Sequence, residues 1–293
     1  MFATMQTENS YPDFEIGLLQ TKKWPTPSPD CFLQIVHVLS GSGKYHEEEE
    51  KYDFAKGDSF LIIPGQNTSV SLKDEGEFMV IDFSNIYTTK KDLLKGRRPN
   101  AGQLYRPLEY LYVNYEYAMV SSENAKKANE SLTSLFDELQ KENKSKNKDQ
   151  DIIRKTVVKI VTTFSKTVQK KLRSSNQTTD DSGLTTDIIE YIHENIYDVY
   201  NVRVEFLAKE FGRAKDYLGF YFKTHTGHSL KDYMTYYKFE LITLRLKYSN
   251  KTILEIVHEF GFTDESHMNR IFKNLYGDTA KRYQQAHLEE RNK

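Results

Sequence analysis

The stretch that decides the fold is residues 253–284, ILEIVHEFGFTDESHMNRIFKNLYGDTAKRYQ. Its apolar residues recur at helical spacing on both sides of Gly261, which is the pattern of two amphipathic helices joined by a tight turn. Gly277 follows the second apolar stripe, at a position where glycine often ends a helix. The stretch therefore predicts a helix-turn-helix unit whose second helix runs from about Asp264 to Leu275.

A second copy of this pattern lies about 50 residues earlier in the chain. The pairs that agree at a shift of 50 are Phe222-Lys223 with Phe272-Lys273, Gly227 with Gly277, Leu218 with Met268, Tyr233 with Tyr283, Phe206 with Ile256 and Leu207 with Val257. Gly212 lies in the first turn of the earlier copy, as Gly261 does in the later one. An apolar stripe between the copies predicts one connecting helix, with Leu230, Tyr233, Tyr237, Leu241 and Leu244. Residues 184–293 are thus predicted to form an all-α domain with two helix-turn-helix units.

The fixed spacing of these residues resembles the AraC/XylS-type transcriptional regulators. The matching positions are Ile253, Ile256, Gly261-Phe262, Ser266, Arg270, Phe272-Lys273, Gly277 and Tyr283 in the second copy, and Leu207-Ala208, Leu218, Phe222-Lys223, Gly227 and Tyr233 in the first. The resemblance implies a sequence-specific DNA-binding regulator, more often an activator, with RNA polymerase as a partner and a cupin-like sensor domain in front. Four positions depart from the family's pattern: Ala280 replaces a proline, Gln284 an arginine, Met268 a phenylalanine and Ala214 an N-cap serine.

Base contacts come from the exposed N-terminal half of a recognition helix. In the second unit the core is expected to take Phe262, Met268, Ile271, Phe272 and Leu275. The outward positions are then Glu265, Ser266, Asn269 and Arg270, and their counterparts in the first unit are Lys215, Asp216, Gly219 and Phe220. Arginine recognises guanine and asparagine adenine, whereas phenylalanine has no hydrogen-bonding group. We therefore predict asymmetric base readout, with Phe220 packed either on a thymine methyl group or into the protein core.

The charge of the C-terminal region is balanced, since residues 184–293 contain 16 Lys and Arg and 16 Asp and Glu. The candidates for phosphate contact are Lys215, Lys223, Lys273, Lys281 and Arg282. Lys223 and Lys273 are equally compatible with ordinary solvated helix charges, and Asp264 and Glu265 would repel phosphate near a helix N-terminus. Phosphate contacts supply much of the affinity for DNA, so a neutral domain predicts weak binding by a monomer. Homodimerisation would strengthen it by avidity.

The N-terminal region reads as β structure, because short apolar runs alternate with glycine and proline turns. The strand candidates are Cys31–Ser40, Lys51–Ala55, Ser59–Ile63, Thr68–Leu72 and Phe78–Phe83, and Lys22–Asp30 is predicted to be an extended arm. With the family resemblance, these runs predict a cupin-like β-barrel or jelly-roll sensor over residues 1–121. The candidates for binding a small-molecule effector are Phe32, Gln34, Val36 and Tyr45, whose alternative role is to fill the barrel.

Metal chemistry is not expected in this region, which contains only His37 and His46 as histidines. Gln66-Asn67-Thr68 occupies a position that is often histidine in metal-binding cupins. We therefore expect no metal, no cofactor and no enzymatic activity. Two alternatives remain open: a cupin-type enzyme with a helical accessory domain, and a protein–protein adaptor whose first helix-turn-helix unit has degenerated.

The middle of the chain changes to helical spacing. Residues 122–172 carry two apolar stripes, which predict helices that either dimerise and couple the domains or are simply solvated on their outer faces. Residues 173–183 (RSSNQTTDDSG) have linker composition. The whole chain is thus predicted to be an α+β multidomain protein: β-rich sensor, helical middle, linker and all-α C-terminal domain.

Composition limits the remaining protein classes. The chain has 293 residues, a net charge of −1 and one cysteine, Cys31, so it has no intramolecular disulfide and no Cys-rich zinc site. No apolar run approaches the roughly 18 residues of a membrane span, and residues 1–12 lack the pattern of a signal peptide. These features exclude a secreted disulfide scaffold and a zinc-finger protein, and they favour a cytoplasmic location without membrane contact.

Overall fold

The computed structural model describes residues 6–11, 13–28, 30–47, 49–65, 68–84, 86–87, 101–115, 119–176, 183–198 and 202–291. It divides into two compact units, residues 1–169 and 170–293. The first unit contains all the described strands, and the second is helical. No helix within the described ranges is long and apolar enough to cross a membrane.

The first unit is built on two antiparallel sheets. Its strands are β1 Gln6–Ser10, β2 Glu15–Thr21, β3 Cys31–Ser40, β4 Gly43–Glu47, β5 Glu50–Phe54, β6 Ser59–Ile62, β7 Thr68–Leu72, β8 Gly76–Ser84 and β9 Met119–Val120. The larger sheet has the order β1-β2-β8-β3-β6-β9 and the smaller β5-β4-β7. No described pairing joins the edges of one sheet to the other. Of the two predicted forms, a barrel or a jelly roll, the described strands therefore do not form a closed barrel, and they are arranged as two facing sheets.

The core of this unit lies between the sheets. It is formed by Leu19, Val36, Val38, Tyr45, Phe54, Phe60, Ile62, Phe78, Val80 and Met119. Strand β3 is buried from Cys31 to Val38 on both of its faces. One face joins the core between the sheets, because side chains alternate along a strand. The other is covered by helices, with His37 stacked on Phe136 at a ring-centroid distance of 4.5 Å.

Three helices complete the strand-bearing part of the chain: α1 Ala101–Val113, α2 Ser122–Asn143 and α3 Gln150–Asn176. The predicted apolar stripes of α2 and α3 are mostly buried, through Leu132, Phe136, Leu139, Ile153, Val157, Ile160, Val161 and Phe164. Arg154 on α3 donates two hydrogen bonds to Asp13, at 3.0 and 2.7 Å. Helix α3 extends to Asn176 and covers the first four residues of the predicted linker, and residues 177–182 lie outside the described chain.

The second unit begins with the last residues of α3. Its further helices are α4 Leu184–Asn195, α5 Val204–Glu210, α6 Lys215–Thr226, α7 Leu230–Tyr248, α8 Ile253–Glu259, α9 Glu265–Tyr276 and α10 Ala280–Arg291. Helices α5 and α6 form the first helix pair, and α8 and α9 form the second. Helix α7 is the predicted connecting helix, and it is more deeply buried than its stripe suggests. It also buries Phe239, Ile242 and Arg245, because it passes through the middle of the unit.

The two helix pairs repeat with one irregularity. Helices α6 and α9 are related by the predicted shift of 50 residues, but α5 and α8 are related by a shift of 49. Buried Leu207 and Ala208 therefore match buried Ile256 and Val257, whereas Phe206 is 37% exposed. The predicted pairings of Phe206 with Ile256 and of Leu207 with Val257 are both wrong by one residue, because the second turn is one residue longer. Gly212 (φ 59°) and Gly261 (φ 67°) take the left-handed conformation in both turns.

Candidate nucleic-acid interface and ligand cleft

Helix α9 presents a polar face to solvent at its N-terminal half. Met268 and Phe272, one turn apart, are fully buried, and Arg270 lies two residues from each, on the opposite side of the helix. Glu265 and Ser266 are also exposed. Three of the four predicted base-facing side chains thus point to solvent from the first turn and a half of the helix.

Asn269, the fourth predicted base-facing residue, is engaged within the protein. Its Oδ1 accepts a hydrogen bond from the backbone N–H of Ala280 at 3.0 Å, and the residue is half-buried. This bond satisfies a free donor at the start of α10, which a proline at position 280 would lack. One predicted core residue lies elsewhere: Leu275 is 45% exposed, because it falls on the solvent side of the last turn of α9.

Helix α6 buries the same side of the helix as α9 but exposes different side chains to solvent. Leu218 and Phe222 are fully buried, and Phe220, which lies between them on the opposite side, is 73% exposed. Phe220 is therefore not an additional core residue. A Cβ atom added at the adjacent Gly219 would meet no heavy atom within 4 Å outside its own stretch of helix. The outer surface of α6 is aromatic where that of α9 carries an arginine.

Charge pairing further separates the two helices. Lys215 Nζ lies 2.5 Å from Glu205 Oε1, with both side chains exposed. This contact raises the pKa of Lys215 and lowers the pKa of Glu205. Lys223, Lys273 and the other basic candidates, Lys281 and Arg282, are exposed, with Arg282 Nη1 3.8 Å from Asp278. Part of the positive charge at the start of α6 is thus neutralised within the protein.

Two features of the interface were missed by sequence reasoning. Asp264, interpreted only as a charge that repels phosphate, is the N-cap of α9: its Oδ1 accepts from the backbone N–H of His267 at 2.8 Å. Its signal was the position of an aspartate directly before a helix. Tyr217, 49% exposed on α6, adds a second aromatic ring to the surface near Phe220.

The strand-bearing unit, residues 1–169, contains a cleft of about 450 Å³ at one end of the larger sheet. Residues 24–28 of the arm, which form no strand, line one side, and Gln34 and Asp82 lie on the other. Gln34 Nε2 donates to Asp82 Oδ2 at 2.8 Å. Burial raises the pKa of Asp82, and burial also raises the pKa of Cys31, whose thiol donates to the same carboxylate.

Only one of the four predicted ligand-binding residues lines this cleft. Gln34 does so, whereas Val36 and Tyr45 belong to the core between the sheets. Phe32 faces the helical side, where its ring lies 4.9 Å from that of Tyr112. The prediction treated Phe32 as inward-facing because it counted a regular alternation, but the pairing of β3 with β8 is irregular between Cys31 and Leu33.

The two histidines of this region lie on different sheets. His37 on β3 shares a hydrogen bond with Ser59 Oγ at 2.9 Å, and burial lowers its pKa to about 4. His46 on β4 lies 3.1 Å from Ser71 Oγ. Among the residues that the structure describes, no group of three or more His, Cys, Asp or Glu side chains is placed to hold a metal ion. Gln66 and Asn67 lie outside the described residues.

Comparison with known proteins places both regions. Residues 207–286 match a family model described as a helix-turn-helix domain, and residues 21–85 match an AraC-like ligand binding domain. The multiple antibiotic resistance protein MarA of Salmonella typhimurium is 31% identical over 96 residues, which are 33% of this chain and 74% of MarA. The regulatory protein SoxS of Escherichia coli (strain K12) is 29% identical over 97 residues, which are 33% of this chain and 89% of SoxS.

Among solved structures, the AraC-like transcriptional activator CuxR is 14% identical with a TM-score of 0.36, covering 80% of this chain and 78% of CuxR. The assignment rests on the sequence relatives and the two family models, which agree with the spacing of residues along both helix pairs. The chain belongs to the AraC/XylS-type family and is a DNA-binding transcription regulator.

Proposed function

We propose that this regulator binds DNA through two helix-turn-helix units, the first and second helix pairs, whose helices α6 and α9 enter neighbouring segments of the major groove. The observation that carries the proposal is the exposed Arg270 on α9, opposite the buried Met268 and Phe272. An arginine in the N-terminal half of a recognition helix is suited to bind guanine with two hydrogen bonds.

Base readout is proposed to be unequal between the two helix-turn-helix units. Arg270, Glu265 and Ser266 are available on α9, whereas Asn269 supports α10 through Ala280 and acts mainly as a positioning residue. On α6, Asp216 and Phe220 are exposed, and Lys215 is paired with Glu205. The second helix-turn-helix unit therefore supplies most of the hydrogen bonds to bases. Phosphate contacts are supplied by Lys223, Lys273, Lys281 and Arg282.

The proposal also gives the strand-bearing unit, residues 1–169, the role of a sensor. The cleft beside Gln34 and Asp82 would take a small effector, since concave sites with a few polar groups are typical of ligand pockets. Trp24, which lines it, has a buried Nε1 donor without a hydrogen-bond partner among the described residues. Effector binding would favour one arrangement of a homodimer. Since the apolar stripes of α2 and α3 are mostly buried within the chain, these helices would couple the domains or dimerise through their remaining exposed faces. Activation through contact with RNA polymerase in the cytoplasm follows the family resemblance.

The experiment is a selection on fragmented DNA from the source genome. Purified full-length protein is mixed with the fragments at about 150 mM salt, and the bound DNA is sequenced. We expect an enriched motif with one sharply defined segment and one weaker segment, separated by about ten base pairs, which is one helical turn. Two equally sharp segments would contradict unequal readout, and no enrichment with or without cell metabolites would favour the adaptor alternative.

A further inference from the structure

The outer surface of α6 carries an apolar side chain where hydrogen-bonding groups are expected. Phe220 is 73% exposed, although Leu218 and Phe222 on the same helix are fully buried. The nearby Tyr217 is 49% exposed. Among the described residues, Phe220 is the most exposed of the large hydrophobic side chains.

The position of Phe220 identifies the surface to which it belongs. Helices α6 and α9 each have 12 residues and each end at a left-handed glycine, Gly227 or Gly277. Their buried residues match at a shift of 50, Leu218 with Met268 and Phe222 with Phe272. Phe220 therefore occupies the place of Arg270, at the centre of the proposed base-contacting face.

The chemistry of Phe220 restricts what it can recognise. A phenyl ring neither donates nor accepts conventional hydrogen bonds, and the C5 methyl group of thymine is the apolar group that distinguishes base pairs in the major groove. Gly219 adds no side chain beside the ring, and the space at its Cβ position is open. Asp216, on the same face, repels phosphate and favours a contact away from the backbone.

We infer that Phe220 reads a thymine methyl group in the DNA segment contacted by the first helix-turn-helix unit. The inference rests on the proposed function, since it requires α6 to lie in the major groove. The first helix-turn-helix unit then selects its DNA segment through one methyl group and not through hydrogen bonds.

The test replaces thymine by deoxyuridine, which removes only the methyl group. The full-length protein is titrated against the selected duplex, with each thymine of the weaker segment replaced in turn. We expect one position at which deoxyuridine weakens binding about fourfold, the effect of burying one methyl group. Phe220→Ala should weaken binding to the thymine duplex by at least as much and should no longer distinguish thymine from deoxyuridine at that position.

Two controls separate a base contact from other effects. Lys223→Ala, on the same helix, should weaken binding to both duplexes and leave their ratio unchanged. Deoxyuridine in the sharper segment should affect the wild type and Phe220→Ala equally. The melting temperature of Phe220→Ala should stay close to that of the wild type, since the ring is exposed and alanine favours helix.

The outcomes distinguish this inference from the function on which it rests. Specific binding that is indifferent to deoxyuridine, or equally sensitive in Phe220→Ala, overturns the methyl contact and leaves the regulator intact. If Phe220→Ala binds DNA as the wild type does but fails to activate transcription, the ring contacts a protein instead. Absence of any selective DNA binding overturns both the function and the inference.

Discussion

The two helix pairs have matching helices but are held by different local signals. In the second pair, Thr252 and Glu255 form a capping box at α8, and Asp264 caps α9. In the first pair, Arg203 and Ala214 stand at the corresponding N-caps, and neither makes a side-chain capping bond. The comparison shows that one backbone arrangement is reached with local caps in one copy and mainly through packing in the other.

The same contrast extends to the surfaces that face DNA. The second pair offers Arg270, Glu265 and Ser266 as exposed polar groups, whereas the first offers the ring of Phe220 and a lysine already paired with Glu205. Their buried residues match closely. Packing therefore conserves the fold of both copies, and their outer faces are free to differ in what they recognise.

The largest expected effect is on the attachment of the second pair to α7. Arg245 is 1% exposed, and it donates to Glu259 Oε1 at 2.8 Å and to Tyr197 Oη at 2.7 Å. Arg245→Ala should lower the free energy of unfolding by about 3–5 kcal/mol, because it leaves the partly buried Glu259 with less compensation. Denaturant unfolding of the full chain measures this.

The matched control is Arg213→Ala, which removes an exposed arginine from the turn of the first pair. We expect a change within about 0.5 kcal/mol. A loss below about 1 kcal/mol for Arg245→Ala would show that this ion pair does not anchor the second pair.

The next effect concerns DNA recognition by the second pair. Arg270→Ala should cost about 1–3 kcal/mol in binding to the selected duplex and relax specificity at one base pair. Binding to unrelated DNA should change little. Titrations of both duplexes at one salt concentration give the two values.

Arg282→Ala is the control for the loss of a positive charge, since Arg282 is exposed on α10 and proposed to contact phosphate. It should weaken binding to both duplexes equally. Equal losses for Arg270→Ala would place Arg270 on the DNA backbone instead of a base.

The capping difference gives a smaller, reciprocal prediction. Asp264→Ala should destabilise the second pair by about 1 kcal/mol, and Ala214→Ser should stabilise the first by a similar amount. Ala214 already has the extended conformation of an N-cap, with φ −65° and ψ 142°. Thermal unfolding measures both changes.

Asp264→Asn preserves the capping oxygen and should retain most of the stability of the wild type. If Asp264→Asn is as unstable as Asp264→Ala, the negative charge and not the hydrogen bond supports α9.

The smallest expected effect concerns the paired lysine of the first pair. Glu205→Gln should release Lys215 for contact with phosphate and steepen the dependence of the binding constant on salt by up to about one ion. Glu210→Gln, on the same helix, makes the same change in net charge without that contact. Equal salt slopes in the two variants would mean that Lys215 does not reach the DNA.

The sequence by itself determined the local architecture of this protein. Helical spacing, Gly261 and Gly277 located the second helix pair, and the repeat located the first. The short apolar runs located most of the strands. These signals are readable because periodicity and turn residues act within a few neighbouring positions.

Tertiary structure alone decided the features that depend on distant partners. The described strand pairings, which join residues far apart in the sequence, do not connect the two sheets into a barrel. An irregularity in the pairing of β3 turns Phe32 away from the cleft. Packing from several sides buried Arg245, and the hydrogen bond to Ala280 engaged Asn269. Leu275 and Phe220 were left exposed, because burial of an apolar side chain depends on what other elements cover it and not on its own hydrophobicity.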